Sequence, residues 1–326
     1  MKSLIPSLMV LGTSWASTIP TRSESLTVSA DLTIDINTFS KPGFKQTFLD
    51  TFTGIPGTIP SSRNWIFDLG TSYPGGAPRW GNNEFETYTK DPSNIHITPQ
   101  GTLAIIPQLS KKGEWTSSRI ETQRSDFVAA KGGKLYIEAK IKLPNTPKEK
   151  QQGIWPAFWA LGSEFRGNYT NWPSATEWDF LEVINGVPTV YSTLHCGTAP
   201  GGFCNEYNGL GSGGRDFEKG VFHTLGFLVD RSVSSGSSWG LGRRDKAEED
   251  WKSETLTWFL DGKEIFELKG ETVGDKATWA KVAHEEHFLL LNVAVGGNWP
   301  GAPNNMTVGG VASGMEVGYV GVWNSL

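Results

Sequence analysis

Short stretches in which apolar and polar residues alternate occur along most of the chain, most clearly from residue 134 to residue 143. Successive side chains of a β-strand point to opposite faces, so this pattern predicts a strand with one buried face and one wet face. Similar patterns predict strands at residues 102–106, 189–195, 222–229, 255–260, 288–295 and 315–323. The predicted buried face of the first stretch consists of Leu135, Ile137, Ala139, Ile141 and Leu143.

Helical patterns are scarce, and neither an internal repeat nor a strand–helix–strand alternation occurs. Many short strands at regular spacing indicate an all-β fold, an antiparallel two-sheet β-sandwich with one sheet curved into a concave cleft. The 326 residues include 39 glycines and 18 prolines, and only 19% are charged, as expected for short strands joined by turns. Asp261–Gly262 is typical of a tight hairpin turn.

Charge and aromatic content narrow the possible partners. A net charge of −5 argues against nucleic acid or an anionic membrane as a partner, and no apolar run is long enough to span a bilayer. The 14 tryptophans suggest a second use beyond core packing, because the broad apolar face of an indole also stacks on sugar rings. We expect both uses.

The first residues have the features of an export signal. Lys2 supplies a positive charge, an apolar stretch follows at residues 4–12, and residues 14–16 form a small-x-small cleavage site. We therefore predict a signal peptide at residues 1–16, a flexible extension at 17–42 and one folded domain at 43–326. The mature protein would be secreted and would be extracellular or in the cell wall. We expect it to be a monomer.

Two further features agree with export. Cys196 and Cys204 lie eight residues apart in a glycine-rich stretch, and a disulfide between them is favoured over two free thiols. Asn168 and Asn305 each begin an N-glycosylation sequon.

The chemistry concentrates in residues 177–182, where three carboxylates alternate with large apolar side chains. In a regular strand Glu177 and Asp179 share one face, but Glu182 falls on the other. A one-residue bulge after Asp179 would return Glu182 to the acidic face, and bulges recur beside active sites because they re-aim side chains. The apolar residues would then form a hydrophobic floor.

Three neighbouring acids suit glycosidic bond cleavage. A retaining glycosidase needs two carboxyl groups about 5–5.5 Å apart, one as nucleophile and one as acid/base. Crowded carboxylates also raise one pKa, so that one acid stays protonated near neutrality. An acidic solvent face on an ordinary strand, or part of a cation site, remains the alternative for these residues alone.

Two other segments leave more than one interpretation open. Both faces of the stretch at residues 153–161 are apolar, which fits a doubly buried strand or a face that binds sugar. The run of residues 284–287 combines two histidines with two glutamates, but it lacks the helical spacing of a zinc site and a third ligand.

Several motifs in one order resemble glycoside hydrolase family 16, in particular fungal laminarinase-like β-glucanases. The motifs are Trp80-Gly-Asn-Asn-Glu84, Ile154-Trp-Pro-Ala-Phe-Trp159, the acidic strand, Thr193-Leu-His195, Leu256-Thr-Trp-Phe-Leu-Asp-Gly262 and Leu291-Asn-Val-Ala-Val-Gly-Gly-Asn-Trp-Pro-Gly301. The resemblance covers residues 44–323. It implies a β-jelly roll and retaining endo-hydrolysis of β-1,3- or mixed β-1,3/1,4-glucan.

The resemblance also assigns roles to individual residues. It implies that Glu177 is the nucleophile, Asp179 its hydrogen-bonding partner and Glu182 the acid/base. The implied sugar-contacting residues are Asn82, Trp155, Trp159, Trp172, His195 and Trp299. The partner would be a β-glucan polysaccharide, and no cofactor is expected.

Three positions depart from the family pattern. Thr176 replaces the usual glycine before the nucleophile, and Trp178 replaces a smaller aliphatic residue; both should alter packing rather than chemistry. Gly318 replaces an aspartate that helps to hold a calcium ion in many members, so we predict no bound metal. A cell-wall transglycosylase would share every catalytic residue, whereas a non-catalytic glucan-recognition protein would lack the catalytic glutamates.

Overall fold

The computed structural model describes residues 39–232 and 250–326. The predicted signal peptide, most of the predicted extension and much of the charged stretch after residue 230 lie outside the described residues. The last four residues of the predicted extension, 39–42, contact the domain, because Trp323 donates its indole N–H to the carbonyl of Phe39 and Lys41 pairs with Glu138.

The described part of the chain consists mainly of strands. The first ten are β1 (Phe44–Asp50), β2 (Trp65–Asp68), β3 (Glu86–Tyr88), β4 (Ile95–Ile97), β5 (Leu103–Ile105), β6 (Gln108–Leu109), β7 (Trp115–Ser117), β8 (Arg119–Thr122), β9 (Lys134–Lys142) and β10 (Ile154–Gly162). The others are β11 (Glu177–Glu182), β12 (Thr189–His195), β13 (Leu210–Gly211), β14 (Arg215–Asp216), β15 (Phe222–Asp230), β16 (Thr255–Leu260), β17 (Lys263–Lys269), β18 (His287–Val295) and β19 (Met315–Ser325).

Two large sheets form the sandwich. The site sheet has the order β13-β12-β11-β10-β18-β8-β2, with β14 paired to β12, and the supporting sheet has the order β17-β16-β15-β9-β19-β5-β4, with β1 paired to β19. The strand pairs within both sheets are antiparallel, as the sequence predicted. A third, small sheet, β3-β7-β6, contains the parallel pair β3–β7, which the sequence did not predict.

The core lies between the two large sheets. The four predicted inward residues of β9, and Leu143 directly after it, are all buried, at most 3% exposed, because alternation leaves each of them facing the site sheet. Opposite them, Trp178 and Phe180 of β11 pack on Phe227 of β15, with ring centroids 4.9 and 5.0 Å apart. This is the hydrophobic floor that the sequence predicted beneath the acids.

Turns and helices complete the frame. Asp261 and Gly262 both have positive φ, 51° and 75°, as a two-residue hairpin turn between β16 and β17 requires. The two α-helices of the described residues are α1 (Gly270–Val273) and α2 (Lys276–His284). The sequence analysis did not predict α2, although the Asp275 side chain caps it by accepting a hydrogen bond from the Thr278 backbone N–H.

Candidate active site

A β-bulge at Phe180 brings the three acids of β11 to one face. On β10, Trp159 pairs with Asp179 and Phe158 pairs with Leu181, so Phe180 has no partner there. On β12, Thr193 pairs with Asp179 and Tyr191 with Glu182, so between these two pairs one residue of β12 opposes two residues of β11. The bulge predicted from the sequence is therefore confirmed.

An indole N–H from outside β11 contacts each of the two glutamates. Trp172 donates to Glu177 Oε2 at 3.2 Å, and Trp155 donates to Glu182 Oε1 at 3.1 Å. Both glutamates are half-buried, as are both tryptophans. A hydrogen-bond donor favours the charged form of a carboxyl group and so lowers its pKa. Each indole therefore opposes the rise in pKa that burial causes in its glutamate.

Asp179 lies between the two glutamates and is buried. Its Oδ2 has no hydrogen-bond partner among the described residues, and the nearest basic nitrogen is His195 Nε2 at 3.5 Å. Burial, followed by the charges of Glu182 and Glu177, raises the pKa of Asp179 well above its ordinary value. A neutral Asp179 can donate a hydrogen bond, which an ionised one cannot.

The two glutamates also have raised pKa values. Burial raises the pKa of Glu177, and the nearby charge of His195 partly offsets this rise. Burial raises the pKa of Glu182 to about 7, with His195 again opposing the rise and Glu177 adding to it. A carboxyl group with a pKa near 7 can donate a proton and take one back at neutral pH, as an acid/base must.

His195 lies opposite Glu177 on β12. Its Nδ1 is 2.7 Å from Glu206 Oε2, in the loop that follows β12. Burial lowers the pKa of His195, but the hydrogen bond to Glu206 and the neighbouring carboxylates outweigh burial and raise it to about 9. The imidazole is therefore a cation at neutral pH.

Glu206 lies just after a loop that is closed by a disulfide between Cys196 and Cys204, which confirms the predicted pairing. The backbone N–H of Cys196 donates to Glu206 Oε1 at 2.8 Å. Tyr207 stacks on Trp172, with ring centroids 6.1 Å apart and planes 16° apart. The sequence analysis missed Glu206, and its only local signal was its position two residues after a cysteine.

Glu177, Asp179 and His195 present ligand atoms that lie within 4.8 Å of one another, as a metal site would. Their protonation does not suit a metal, because metal ligands must be deprotonated, whereas His195 is a cation at pH 7 and burial raises the pKa of Asp179 well above its ordinary value. The arrangement fits proton transfer better than metal binding.

Comparison with known proteins gives the chain its family. The crystal structure of endo-1,3-β-glucanase from Streptomyces sioyaensis matches with a TM-score of 0.79 and 39% sequence identity, over 88% of this chain and 98% of that chain. The chain belongs to glycoside hydrolase family 16. It is of the laminarinase-like type and is thus placed among the glycoside hydrolases, as the motifs suggested; the fungal origin stays a prediction.

Two curated relatives agree with this family 16 assignment. Glucan endo-1,3-β-glucosidase of Cryptopygus antarcticus is 27% identical over 280 residues, 79% of this chain and 86% of that protein. Clotting factor G α subunit of Tachypleus tridentatus is 30% identical over 267 residues, which are 80% of this chain but 31% of the relative. The chain therefore spans about a third of the length of that relative. No family model matches the chain.

Some of the residues that family 16 assigns to sugar contact lie at the edge of the acidic face. Trp299 is 44% exposed, and its ring meets Trp155 edge-on at 5.8 Å and Tyr191 at 5.1 Å. Asn82 is half-buried and donates to Glu84 Oε1 at 3.2 Å. Their contacts with sugar stay predictions.

Trp159 lies further along the same face of β10 and has more internal contacts. Its indole N–H donates to Asn292 Oδ1 at 2.7 Å, and the guanidinium of Arg119 lies 4.7 Å from the ring centroid. One ring face is thus covered by protein. Trp159 is half-buried. This face of residues 153–161 is therefore neither fully buried, as in a doubly buried strand, nor fully open, as in a free sugar-binding face.

A buried polar network that the sequence analysis missed lies behind Asn82 and Trp159. Tyr88 donates to Glu84 Oε2 at 3.1 Å and accepts from Asn292 at 3.1 Å, while the Val295 N–H donates to Glu86 Oε2 at 2.7 Å. Among the described residues, none donates to the buried Glu86 Oε1. Burial and the charge of Glu84 raise the pKa of Glu86 well above its ordinary value, which favours the protonated form of Glu86 beside Glu84.

The two family departures near the nucleophile act on packing, as predicted. Thr176 has φ 67°, a left-handed conformation that explains why glycine is usual there, and its hydroxyl bonds His287 Nε2 at 2.9 Å. Trp178 stacks on the same imidazole, with centroids 3.5 Å apart. His287 is thus a buried structural residue, and His284 instead contacts Glu254 at 2.5 Å.

The remaining predictions concern glycosylation, a bound metal and the membrane. Asn168 and Asn305 are both exposed, as glycosylation would require, and the modification itself stays a prediction. Gly318 lies beside the alkyl chain of Lys140, and the absence of a metal also stays a prediction. Within the described residues, the helices are too short or too polar to cross a membrane.

Proposed function

We propose that the protein is a retaining endo-hydrolase of β-1,3-glucan or mixed β-1,3/1,4-glucan. The observation that carries this proposal is the bulge at Phe180, which places Glu177, Asp179 and Glu182 on one face. Family membership supports the substrate class, because the relative from Streptomyces sioyaensis is named an endo-1,3-β-glucanase. We also propose export through residues 1–16, with which the disulfide is compatible.

The first half of the reaction cleaves the glycosidic bond. Glu182, whose pKa is about 7, donates its proton to the glycosidic oxygen as the bond to the anomeric carbon breaks. Glu177 attacks that carbon as a carboxylate, so the oxocarbenium-like transition state collapses to a covalent glycosyl-enzyme. Asp179, whose pKa burial raises well above its ordinary value, donates a hydrogen bond to Glu177 in its protonated form, which orients the nucleophile and moderates its charge.

The second half releases the sugar. Glu182, now a carboxylate, removes a proton from water as the water oxygen attacks the anomeric carbon, and Glu177 leaves as a carboxylate. Two inversions at one carbon retain the β configuration. Trp172, Trp155 and Trp299 offer apolar ring surface around the acids on which pyranose rings of a neutral glucan can stack.

The test is hydrolysis of laminarin and lichenan followed by proton NMR from the first minutes. The wild-type protein should release β-anomeric reducing ends first, and Glu177→Gln and Glu182→Gln should each lose activity by at least about a thousandfold while keeping the melting temperature within a few degrees. Initial release of α-anomers, or no hydrolysis of either glucan, would overturn the proposal. No contact among residues 39–232 and 250–326 favours the transglycosylase or the recognition protein over hydrolysis.

A further inference from the structure

Glu206 is a buried carboxylate that the proposed reaction does not use. Its side chain is fully buried, and both of its oxygens have a donor: Oε2 accepts from His195 Nδ1 at 2.7 Å, and Oε1 accepts from the Cys196 N–H at 2.8 Å. Burying a carboxylate is costly unless its hydrogen bonds are satisfied. Two fixed donors therefore hold this charge at one point behind His195.

His195 faces carboxyl groups on both sides. Glu206 approaches from the loop, and Glu177, Asp179 and Glu182 approach from β11; the ring of Trp172, with its centroid 5.5 Å away, carries no charge. An imidazole in such surroundings keeps its proton, and Glu206 makes the shortest contact with it. The positive charge of His195 in turn opposes the rise in the pKa of both Glu177 and Glu182.

The loop around Glu206 is tied down at several points. The disulfide between Cys196 and Cys204 closes the loop just before Glu206, and the backbone N–H of Glu206 donates to the Gly201 carbonyl in that loop at 2.6 Å. Next to Glu206, Tyr207 is 67% exposed and stacks on Trp172, which donates to Glu177. Glu206 and Tyr207, which follow the disulfide-closed loop, thus contact His195 and Trp172, two different neighbours of the nucleophile.

We propose that Glu206 is a positioning residue for the reaction proposed above: held by the disulfide-closed loop, it keeps His195 a cation beside Glu177 and Glu182. This cation favours the ionised form of both glutamates. Glu177 then stays a carboxylate for attack, and Glu182 loses its proton readily enough to serve as a base in the second step. Only the kinetic consequence of this inference rests on the proposed function.

The experiment replaces Glu206 with glutamine, which offers a single acceptor oxygen where the carboxylate has two. In Glu206→Gln, NMR titration of the histidine ring protons should show the pKa of His195 falling from about 9 by at least about one unit, towards the ordinary value of about 6.5. A His195→Gln spectrum identifies the signal by its loss. The alkaline limb of kcat/KM should move to higher pH, because neutral His195 no longer lowers the pKa of Glu182.

The matched control is Asp261→Asn. Asp261 Oδ2 lies 2.6 Å from His223 Nδ1, so this change also removes a carboxylate from a histidine, but in the hairpin of the supporting sheet. The control should leave the His195 titration and the pH profile unchanged. Reduction of the disulfide in the folded wild-type protein should lower the pKa of His195 in the same direction as Glu206→Gln, which provides a second readout if that variant folds poorly.

A His195 pKa that stays near 9 in both Glu206→Gln and the reduced protein would overturn the proposal. A loss of activity with an unchanged pH profile would also overturn it, because that result indicates a purely structural loop. The NMR titration needs no substrate, so failure of the wild-type protein to hydrolyse glucan would overturn the proposed function without deciding the role of Glu206.

Discussion

The two glutamates can be told apart through their tryptophan donors. Trp155 donates to Glu182 Oε1 at 3.1 Å, and Trp172 donates to Glu177 Oε2 at 3.2 Å. Phenylalanine keeps an aromatic ring at either position but has no N–H. Trp155→Phe therefore removes one hydrogen bond from the proposed acid/base, and Trp172→Phe removes one from the proposed nucleophile.

The structure sets the size of the expected shift. A hydrogen bond to a charged group contributes about 1.5–3 kcal/mol, and the long, half-buried bond from Trp155 belongs near the lower end. Since one pKa unit corresponds to about 1.4 kcal/mol, losing the bond should raise the pKa of Glu182 from about 7 by about one unit. The alkaline limb of kcat/KM reports loss of the proton from the acid, so this limb should move to higher pH.

The assay is kcat/KM on laminarin oligosaccharides from pH 4 to pH 10 for the wild type and both variants. Trp155→Phe should move the alkaline limb upwards by about one unit with little change in the acidic limb. Trp172→Phe should instead move the acidic limb upwards, because Glu177 then ionises at higher pH. The reverse pattern, with Trp155→Phe acting on the acidic limb, would refute the assignment of both roles.

The remaining predictions use other parts of the molecule. Glu182→Ala should regain turnover on an activated glycoside when azide is added, and the product should be the β-glycosyl azide. Glu177→Ala should instead yield the α-glycosyl azide, because azide then displaces the leaving group directly. The coupling constant of the anomeric proton distinguishes the two products, and an α-azide from the Glu182 variant would reverse the two assigned roles. Glu86→Gln should keep most of the stability in urea unfolding, because the raised pKa of Glu86 favours the protonated acid, which glutamine resembles. Glu84→Gln should lose about 1–3 kcal/mol by disturbing the bond from Tyr88, and equal losses in the two variants would contradict this difference between the two acids. Burial lowers the pKa of His287 to about 3, so the unfolded chain binds the extra proton as the pH falls. Stability present above about pH 6.5 should therefore be lost as the pH falls towards 3, by up to about 5 kcal/mol. His287→Gln should flatten this acid dependence, and an unchanged slope between pH 4 and pH 7 would argue against it.

The sequence by itself determined many of the longer strands and the position of the acids. Strand alternation is a local property of period two, so the buried face of β9 could be predicted without any knowledge of its neighbours. The bulge was predictable for the same reason, because Glu182 lies one residue out of step with Glu177 and Asp179. The disulfide followed from two cysteines close together in a chain for which the sequence predicts an export signal.

Only the tertiary structure decided which side chains control the charges of those acids. Glu206 reaches His195 because the loop folds back over β12, and Glu86 lies beside Glu84 because β3 joins a small separate sheet. Likewise, Arg119 covers one face of Trp159 through the pairing of β8 with β18 and of β18 with β10. These contacts join residues far apart in the chain or in irregular loops, where no periodic pattern records the partner. The pKa of a buried acid depends on such neighbours and on burial, and neither is encoded locally.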